Sequence, residues 1–483
     1  MKQKHDEKIG RLGLTAFVLS AMVGGGIYDL PQNMAMHAGV IGQVGAWLVT
    51  GLIIGLVVRS FLILSQVRPQ YTTGLYHYAQ AGFGKFTAFF VSWGYWICQA
   101  FAIAAYAVLL TATLNVFWPG MFSGGNNWQA VIVGSIILWT MIFLITRGIQ
   151  TTSRIDLVGT VCMLVIVAVF ICSMLVAFHW KIFWQDPLGT APHSHFKLGN
   201  PLQQVQHSLL TTLWVFSGVE SAVVLSKKSK SQQAVRHATR DGFLLCLGLY
   251  AAVSILPLGV RSYEQVAGMS SPSTAVLLGM VLGPTGRLLI TFGVIIAVLA
   301  SWLSWILVLA EIPMAAAVSG TFPRWFGKIN HRRVPIPSLL ATGAIIQIII
   351  IFTHFATAAF NTTLTIVATM TIPPYLISML FLVKISARER TFNPQHEQVG
   401  VSRKTALITA VLASLGTLFM GYTAGLWYIN LAFIIYALGI PLFIWTRHHD
   451  DPHQPIFGKF ERWFALLIVS VAVGGLLLLL EVV

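Results

Sequence analysis

Residues 20–35 read SAMVGGGIYDLPQNMA, an apolar stretch that Gly24, Gly25 and Gly26 interrupt in its middle. In a helix interior each glycine costs about 1 kcal/mol relative to alanine. Unwinding there frees backbone N–H and C=O groups, which is tolerable at membrane depth only where they line a cavity or meet a ligand. We therefore predict a membrane span broken at the glycines, whose second half, from Ile27, presents its positive end to a carboxylate. Close helix packing across small residues would explain the run equally well.

A second interruption lies in residues 211–226, TTLWVFSGVESAVVLS, where Ser217 and Gly218 are followed by Glu220. An ionised carboxylate at the bilayer centre costs at least about 2.5 kcal/mol, so an acid at this depth indicates a functional site with a partner or a cavity. The alternative is a structural ion pair, for which Arg59 in the second apolar stretch is the nearest candidate.

The composition indicates a polytopic membrane protein. Of 483 residues, 56% are hydrophobic and only 9% are charged, and the mean hydropathy is +0.77, whereas about a quarter of a soluble chain is charged. The net charge of +15 does not indicate nucleic acid as a partner, because the cations lie in short segments between apolar stretches. The sequence also offers no catalytic or metal-ligating cluster, so we expect neither an enzyme nor a cofactor.

Apolar stretches of about 20 residues predict an all-α protein with twelve or thirteen transmembrane helices. If the N-terminus is cytoplasmic, 26 of the 30 Lys and Arg residues lie on the cytoplasmic side, as the positive-inside rule requires. The weakest prediction is the last stretch, which would lie along the interface if only twelve helices cross. The thirteen stretches are 12–37, 41–66, 85–118, 127–146, 155–179, 205–226, 242–260, 286–318, 335–354, 359–384, 404–422, 426–446 and 463–481.

The two broken helices, the first and the sixth, each open a unit of five spans. Discontinuous helices in corresponding positions of two halves are typical of transporters with inverted repeats and a binding site at the membrane midplane. We therefore predict a first repeat at 1–200, a second at 201–385 and peripheral spans at 386–483. The half-helix ends would bind the carboxylate of an amino acid, while an acid and aromatic faces would bind its cationic part.

Several stretches together resemble one transporter family. They include GGGIYDLPQNMA at 24–35, TLWVFSGVESAVVLS at 212–226, AEIPMAAA at 310–317 and PPYLISMLFLVK at 373–384. The chain is similar, from Ile9 to about Trp445, to the amino acid–polyamine–organocation superfamily, and most to the bacterial basic amino acid/polyamine antiporters of the arginine/ornithine type. The resemblance implies a fold of ten core helices in two inverted repeats, which works by alternating access as an exchanger.

The resemblance also implies roles for individual residues. Gly24, Gly25 and Gly26 correspond to the unwound turn that binds the substrate carboxylate. Trp214 and Glu220 correspond to an aromatic and an acid of the broken sixth helix that act in gating and coupling. Trp305 falls where related exchangers stack an aromatic ring on the substrate. The predicted substrate-binding set is completed by Ile27, Asp29, Gln99, Phe216, Ser217, Gly218 and Thr365.

Asp29 departs from the family pattern, in which related members commonly carry a small or apolar residue. On one interpretation its carboxylate satisfies amides of the first turn after the break and complements the helix dipole. On the other, it adds a negative charge near the site and favours a substrate with an extra positive charge, such as a diamine.

The most favoured function is therefore exchange of a cationic amino acid for its metabolic product, with arginine for ornithine as the first choice. Exchange of an amino acid for its decarboxylated amine, such as histidine for histamine, is the alternative within the transport class. A nutrient sensor without turnover is the alternative outside it. The expected partners are small molecules, namely amino acids and amines, and the lipid bilayer of a bacterial cytoplasmic membrane, and a homodimer is left open.

Overall fold

The computed structural model describes residues 10–71, 74–147, 152–189, 198–220, 231–332, 334–388, 392, 400–450 and 452–482. Within these ranges every regular element is a helix, which confirms the predicted all-α class. The helices are α1 Arg11–Met22, α2 Leu30–Ala35, α3 Val40–Val67, α4 Leu75–Phe83, α5 Lys85–Leu114, α6 Trp128–Thr146, α7 Thr152–Val176, α8 Trp180–Phe183, α9 Pro201–Val215, α10 Gln232–Ile255, α11 Tyr263–Ala267, α12 Ser273–Val318, α13 Ile336–Thr353, α14 Ala359–Ser386, α15 Arg403–Thr423, α16 Gly425–Ala437, α17 Ile440–Asp450 and α18 Lys459–Val482.

Eleven segments of the described chain are long and apolar enough to cross a membrane. They coincide with eleven of the thirteen predicted spans, and the other two are the spans predicted to be broken, whose described helices are too short to qualify. The seventh span begins at Gln233, earlier than the predicted start at residue 242. Ser231 caps the helix, and the first turns of α10 are too polar for hydropathy to identify them as part of a span.

The helices leave their terminal cations at one end of the bundle, which we call the basic end. Arg11 at the start of α1 forms a salt bridge with Asp241 of α10. Lys384 near the end of α14 donates a hydrogen bond of 2.5 Å to the carbonyl of Gly82. These contacts join chain segments far apart in sequence.

The last helix, α18, lies antiparallel to the preceding span over its length. At the basic end, Glu461 accepts a hydrogen bond of 2.7 Å from the backbone N–H of Phe86. Further along, Gly475 lies so close to Asn430 of α16 that a Cβ on the glycine would be 2.7 Å from the asparagine Cβ. Helix α18 packs along α16 and is long and apolar enough to cross a membrane, which favours thirteen spans over twelve.

Packing between the helices follows a paired pattern. The first span, α1, packs along α10, as α9 packs along α3. Likewise α7 packs along α12, as α14 packs along α5. Both broken spans are therefore held against intact ones, and their interruptions meet in the middle of the bundle.

Candidate functional site

The first span is broken at the predicted glycines. Helix α1 ends at Met22, one 3₁₀ turn follows at Gly25–Tyr28, and α2 begins at Leu30. Within the described chain, the N–H groups of Gly25 and Gly26 donate to no backbone carbonyl. The turn thus presents two unpaired amides, the arrangement that binds anions at helix N-termini.

Close approach of other side chains explains why the break consists of glycine. A Cβ on Gly26 would lie 1.4 Å from Cη2 of Trp214, and one on Gly24 would lie 2.4 Å from the hydroxyl of Tyr106. A Cβ on Gly25 would lie 2.8 Å from Leu109. Unwinding and close packing, the two explanations for the glycine run, therefore occur together.

The second break follows α9, which ends at Val215. The chain turns through residues 216–220, and Gly218 has a φ of 105°, a left-handed conformation that favours glycine. The ring of Phe216 does not line the cavity described below, and its centroid lies 5.4 Å from that of Phe243 and 5.5 Å from that of Tyr250. The second half of this span, residues 221–230, lies outside the described chain.

A cavity of about 40 Å³ lies between the two breaks. Seven predicted site residues line it: Gly24, Gly26, Ile27, Gln99, Trp214, Ser217 and Trp305. The prediction did not include the other described lining residues, which are Met22, Ala102, Ile103, Tyr106, Val215, Tyr250 and Val367. Helical periodicity from Gln99 would have found three of these, because residues 102, 103 and 106 share its face, whereas no sequence signal marks Tyr250 or Val367.

The cavity wall is aromatic and uncharged. Two indole rings, Trp214 and Trp305, and two phenol rings, Tyr106 and Tyr250, contribute to it, and none of the described lining residues carries a formal charge. Such a wall attracts a cation through the faces of its rings. The unpaired amides of the first break supply the complementary site for an anion.

Glu220 is buried behind this wall, with 3% of its surface exposed. Tyr95 of α5 donates a hydrogen bond of 2.7 Å to one carboxylate oxygen, and Tyr375 of α14 donates one of 2.5 Å to the other. The alternative ion pair with Arg59 does not form, since Arg59 is exposed and no salt bridge joins the two residues. The acid therefore connects the second break to two separate helices.

A polar contact joins this acid cluster to the cavity. The side-chain N–H of Gln99 donates to the hydroxyl of Ser217 at 3.2 Å, and both residues line the cavity. Gln99 lies one helical turn after Tyr95, while Ser217 lies three residues before Glu220. Gln99 and Ser217 therefore lie on the two chain segments that carry Tyr95 and Glu220, and they bring both segments to the cavity wall.

Asp29 is also buried, but it lies away from the cavity. Its carboxylate accepts hydrogen bonds from the hydroxyl of Ser271 and, at 2.8 Å, from the backbone N–H of Ser273. The same chain segment receives a second bond, because Gln32 donates to the carbonyl of Met269 at 2.5 Å. Asp29 makes no side-chain cap on its own helix α2, and instead ties that helix to the start of α12.

Thr365 is the remaining predicted site residue. Its hydroxyl donates to the carbonyl of Asn361 at 2.9 Å, one turn earlier in α14, and Thr365 is not among the lining residues. The same helix contributes Val367 to the cavity instead.

Comparison with known proteins agrees with this architecture. A family model described as an amino acid permease matches residues 9–446. A protein of Clostridium perfringens, provisionally named an amino-acid transporter, is 43% identical over 479 residues, which are 99% of each chain. The arginine/agmatine antiporter of Chlamydia caviae is 41% identical over 476 residues, 98% of this chain and 97% of that one.

Among solved structures, an outward-open, substrate-bound Na⁺-coupled sialic acid symporter superposes with a TM-score of 0.54. The match covers 87% of this chain and 90% of that one at 14% identity. At that identity the likeness concerns the fold alone.

Proposed function

We propose, from the premise that this chain belongs to the amino acid permease family, that it exchanges arginine for agmatine, the amine left when arginine loses its carboxylate. The chain is a multi-pass membrane transporter and not an enzyme, and its relatives support an amino acid antiporter. The finer assignment of the substrate pair rests on the chemistry of the cavity and on the names of the relatives.

The uncharged aromatic wall of the cavity is the observation that carries the proposal. A planar guanidinium stacks on ring faces and is more weakly hydrated than an ammonium, so a wall formed by Trp214, Trp305, Tyr106 and Tyr250 suits it. Arginine and agmatine share the guanidinium, whereas ornithine lacks it. We therefore replace ornithine, the first choice from sequence, with agmatine, which falls in the alternative class of decarboxylated amines.

The substrate carboxylate is assigned to the first break. The unpaired N–H groups of Gly25 and Gly26 lie at the start of a 3₁₀ turn of which Gly26 and Ile27 line the cavity. Arginine would use these amides and the aromatic wall together. Agmatine would use the wall alone and leave the amides to water, which explains how one site can serve both substrates.

Entry of either substrate requires the cavity to enlarge. About 40 Å³ accommodates a few waters, whereas sites for small ligands usually measure about 300–1,000 Å³. Trp214, whose ring lies on Gly26, must therefore move outward. Because Glu220 joins the second break to α5 and α14, we assign its cluster with Tyr95 and Tyr375 the coupling of this movement to the surrounding helices.

The inverted repeats are part of the proposal. If spans 1, 2, 3 and 5 correspond to spans 6, 7, 8 and 10, the packing of α1 on α10 corresponds to that of α9 on α3. The packing of α7 on α12 likewise corresponds to that of α14 on α5. This pairing supports repeats at 1–200 and 201–385, with 386–483 peripheral.

We also place the basic end in the cytoplasm of a bacterial inner membrane, since 26 of 30 basic residues lie there by sequence. Labelling of single cysteines with an impermeant reagent in intact cells tests this orientation. A cysteine at Lys404 should stay unlabelled and one at Met121 should be labelled. The cavity is built from one chain, so a homodimer is not required, and the mass of the purified complex would establish the oligomeric state.

Counterflow in proteoliposomes tests the substrate pair. Labelled arginine should enter fastest against internal agmatine, and each cycle should move one net positive charge, since agmatine carries two charges near neutral pH and arginine one. A potential across the vesicle membrane should therefore accelerate arginine uptake at one sign and slow it at the other. Faster uptake against internal ornithine, insensitive to potential, would contradict the pair. Histidine uptake against internal histamine would indicate that the exchanged pair is histidine and histamine. Absence of any uptake would favour a nutrient sensor.

A further inference from the structure

An apolar groove of about 650 Å³ lies on the outside of the bundle and shares no described lining residue with the transport cavity. Helices α6, α7 and α12 form it, and nine of its ten described lining residues are apolar: Ile137, Met141, Leu144, Val158, Gly159, Ile296, Leu299, Ala300 and Leu303. Thr140 is the tenth. All lie within segments apolar enough to cross a membrane, so the groove faces the hydrocarbon of the bilayer.

Small residues form the floor of the groove. A Cβ on Gly159 of α7 would lie 2.4 Å from the Cβ of Ala300 of α12, so these two helices touch backbone to backbone. Larger residues stand beside the contact, and Val158 and Ile296 are 63% and 45% exposed. The result is a concave apolar channel whose volume falls within the range of sites for small ligands.

Two arginines lie beyond the groove at the basic end. Leu144 lines the groove, and Arg147 follows at the end of α6, with its guanidinium 4.8 Å from the ring centroid of Phe143, the exposed neighbour of Leu144. The guanidinium of Arg332 donates a hydrogen bond to the carbonyl of Arg147, which brings Arg332 to the C-terminal end of α6. Both are exposed, and no salt bridge joins either to a carboxylate among the described residues.

We propose that this groove binds an anionic glycerophospholipid, with one acyl chain between α6, α7 and α12 and the phosphate on Arg147 and Arg332. The chemistry at each end of the site matches one part of that molecule. Hydrocarbon fills an apolar groove, and two guanidinium groups without an acidic partner bind a phosphodiester through charge-assisted hydrogen bonds. Basic pockets between transmembrane helices bind lipid head groups in this way. A second copy of the chain would also cover the apolar groove, but that contact alone would not account for the two arginines beside it.

Native mass spectrometry of the full-length protein, given equal amounts of phosphatidylglycerol and phosphatidylcholine, tests the proposal. The unaltered protein should retain phosphatidylglycerol preferentially. The double variant Arg147→Gln/Arg332→Gln should lose that preference by about tenfold or more, because each cation near the membrane surface contributes to binding an anionic lipid. The variant Arg147→Lys/Arg332→Lys should keep most of it, which separates charge from a purely structural role.

Two further variants complete the design. Thr140→Trp would fill the groove and should reduce retention of both lipids. Arg462→Gln, which removes an exposed arginine at the same end on the distant helix α18, should leave retention unchanged. Thermal unfolding and arginine counterflow establish that each variant is folded. Equal retention by the unaltered protein and the double glutamine variant would overturn the proposal, as would undiminished retention by Thr140→Trp. A dimer cross-linked through the groove without bound lipid would also overturn it.

Discussion

The two breaks each carry a buried acid, and the two acids are held in different ways. Asp29, beside the first break, is 1% exposed and is bound by a serine hydroxyl and a backbone N–H of one short segment. Glu220, beside the second, is 3% exposed and is bound by two phenols from two different helices. Burial and proximity to a break are therefore the same for both, and only the partners distinguish them.

The different hydrogen-bond partners indicate different roles for the two acids. A bond to a backbone N–H is fixed to the position of the chain, so Asp29 fastens α2 to the start of α12. The bonds from Tyr95 and Tyr375 come from the side chains of two other helices, and they connect the acid to α5 and α14. A buried carboxylate held by side chains of two separate helices is suited to coupling a movement between those helices, whereas Asp29 is suited to keeping two elements together.

The largest expected effect comes from removing Glu220. Glu220→Ala should abolish exchange, with a loss of at least about 100-fold, because two charge-assisted hydrogen bonds disappear together. Counterflow of labelled arginine measures the loss, and size-exclusion elution and thermal unfolding establish that the protein is folded. Glu264→Ala, at an acid outside the cavity, is the matched control and should exchange normally. Unchanged exchange by Glu220→Ala would remove the distinction between the two acids.

The contact between the two breaks should come next in size. Gly26→Ala places a Cβ in the ring of Trp214, and overpacking of this kind typically costs about 1–3 kcal/mol. Thermal unfolding should show that cost, and Trp214→Ala in the same chain should remove most of it. Gly248→Ala is the control, since a Cβ there would meet nothing within 4 Å. The same loss of stability with and without Trp214 would contradict the assigned contact.

Asp29→Asn should have an intermediate effect. We expect exchange to fall several-fold with the ratio of arginine to agmatine uptake unchanged, since the carboxylate binds Ser271 and Ser273 and does not line the cavity. Ser271→Ala should reproduce part of the effect, because a hydrogen bond to a charged group contributes about 1.5–3 kcal/mol. Competition of each substrate against labelled arginine measures the ratio. A loss confined to agmatine would restore the interpretation of Asp29 as an amine-recognition residue.

Thr365→Val should have the smallest effect. Its hydroxyl is bonded within its own helix, so initial rates of exchange should change by less than about twofold, as expected for a substitution that leaves the cavity untouched. Val367 does line the cavity. The variant Val367→Thr therefore provides the comparison and should change the apparent affinity for arginine. A larger effect of the change at Thr365 than at Val367 would indicate that α14 lines the cavity at Thr365 instead of at Val367.

Much of the architecture could be predicted because hydropathy and backbone cost are local properties. Apolar runs of sufficient length located the spans, and three glycines in the first of them located its break. The capped, polar start of α10 was missed for the same reason, since its residues are too polar for a hydropathy window. Within the site, Gly26, Gln99, Trp214 and Trp305 were predicted and line the cavity, because each lies on a segment marked by a break or by a motif.

The remaining site residues depend on distances between segments far apart in the chain. Tyr250 reaches the cavity from a helix that carries no distinguishing motif, and Tyr95 and Tyr375 bind Glu220 across 125 and 155 residues. The sequence determined that this chain crosses the membrane many times, that two of its helices break, and that two acids are buried beside the breaks. Only the tertiary structure decided which acid connects to the cavity and which one holds α2 to α12. Hydrophobicity and the cost of unwinding are properties of each segment by itself, whereas the partner of a buried carboxylate is set by which helices pack beside it.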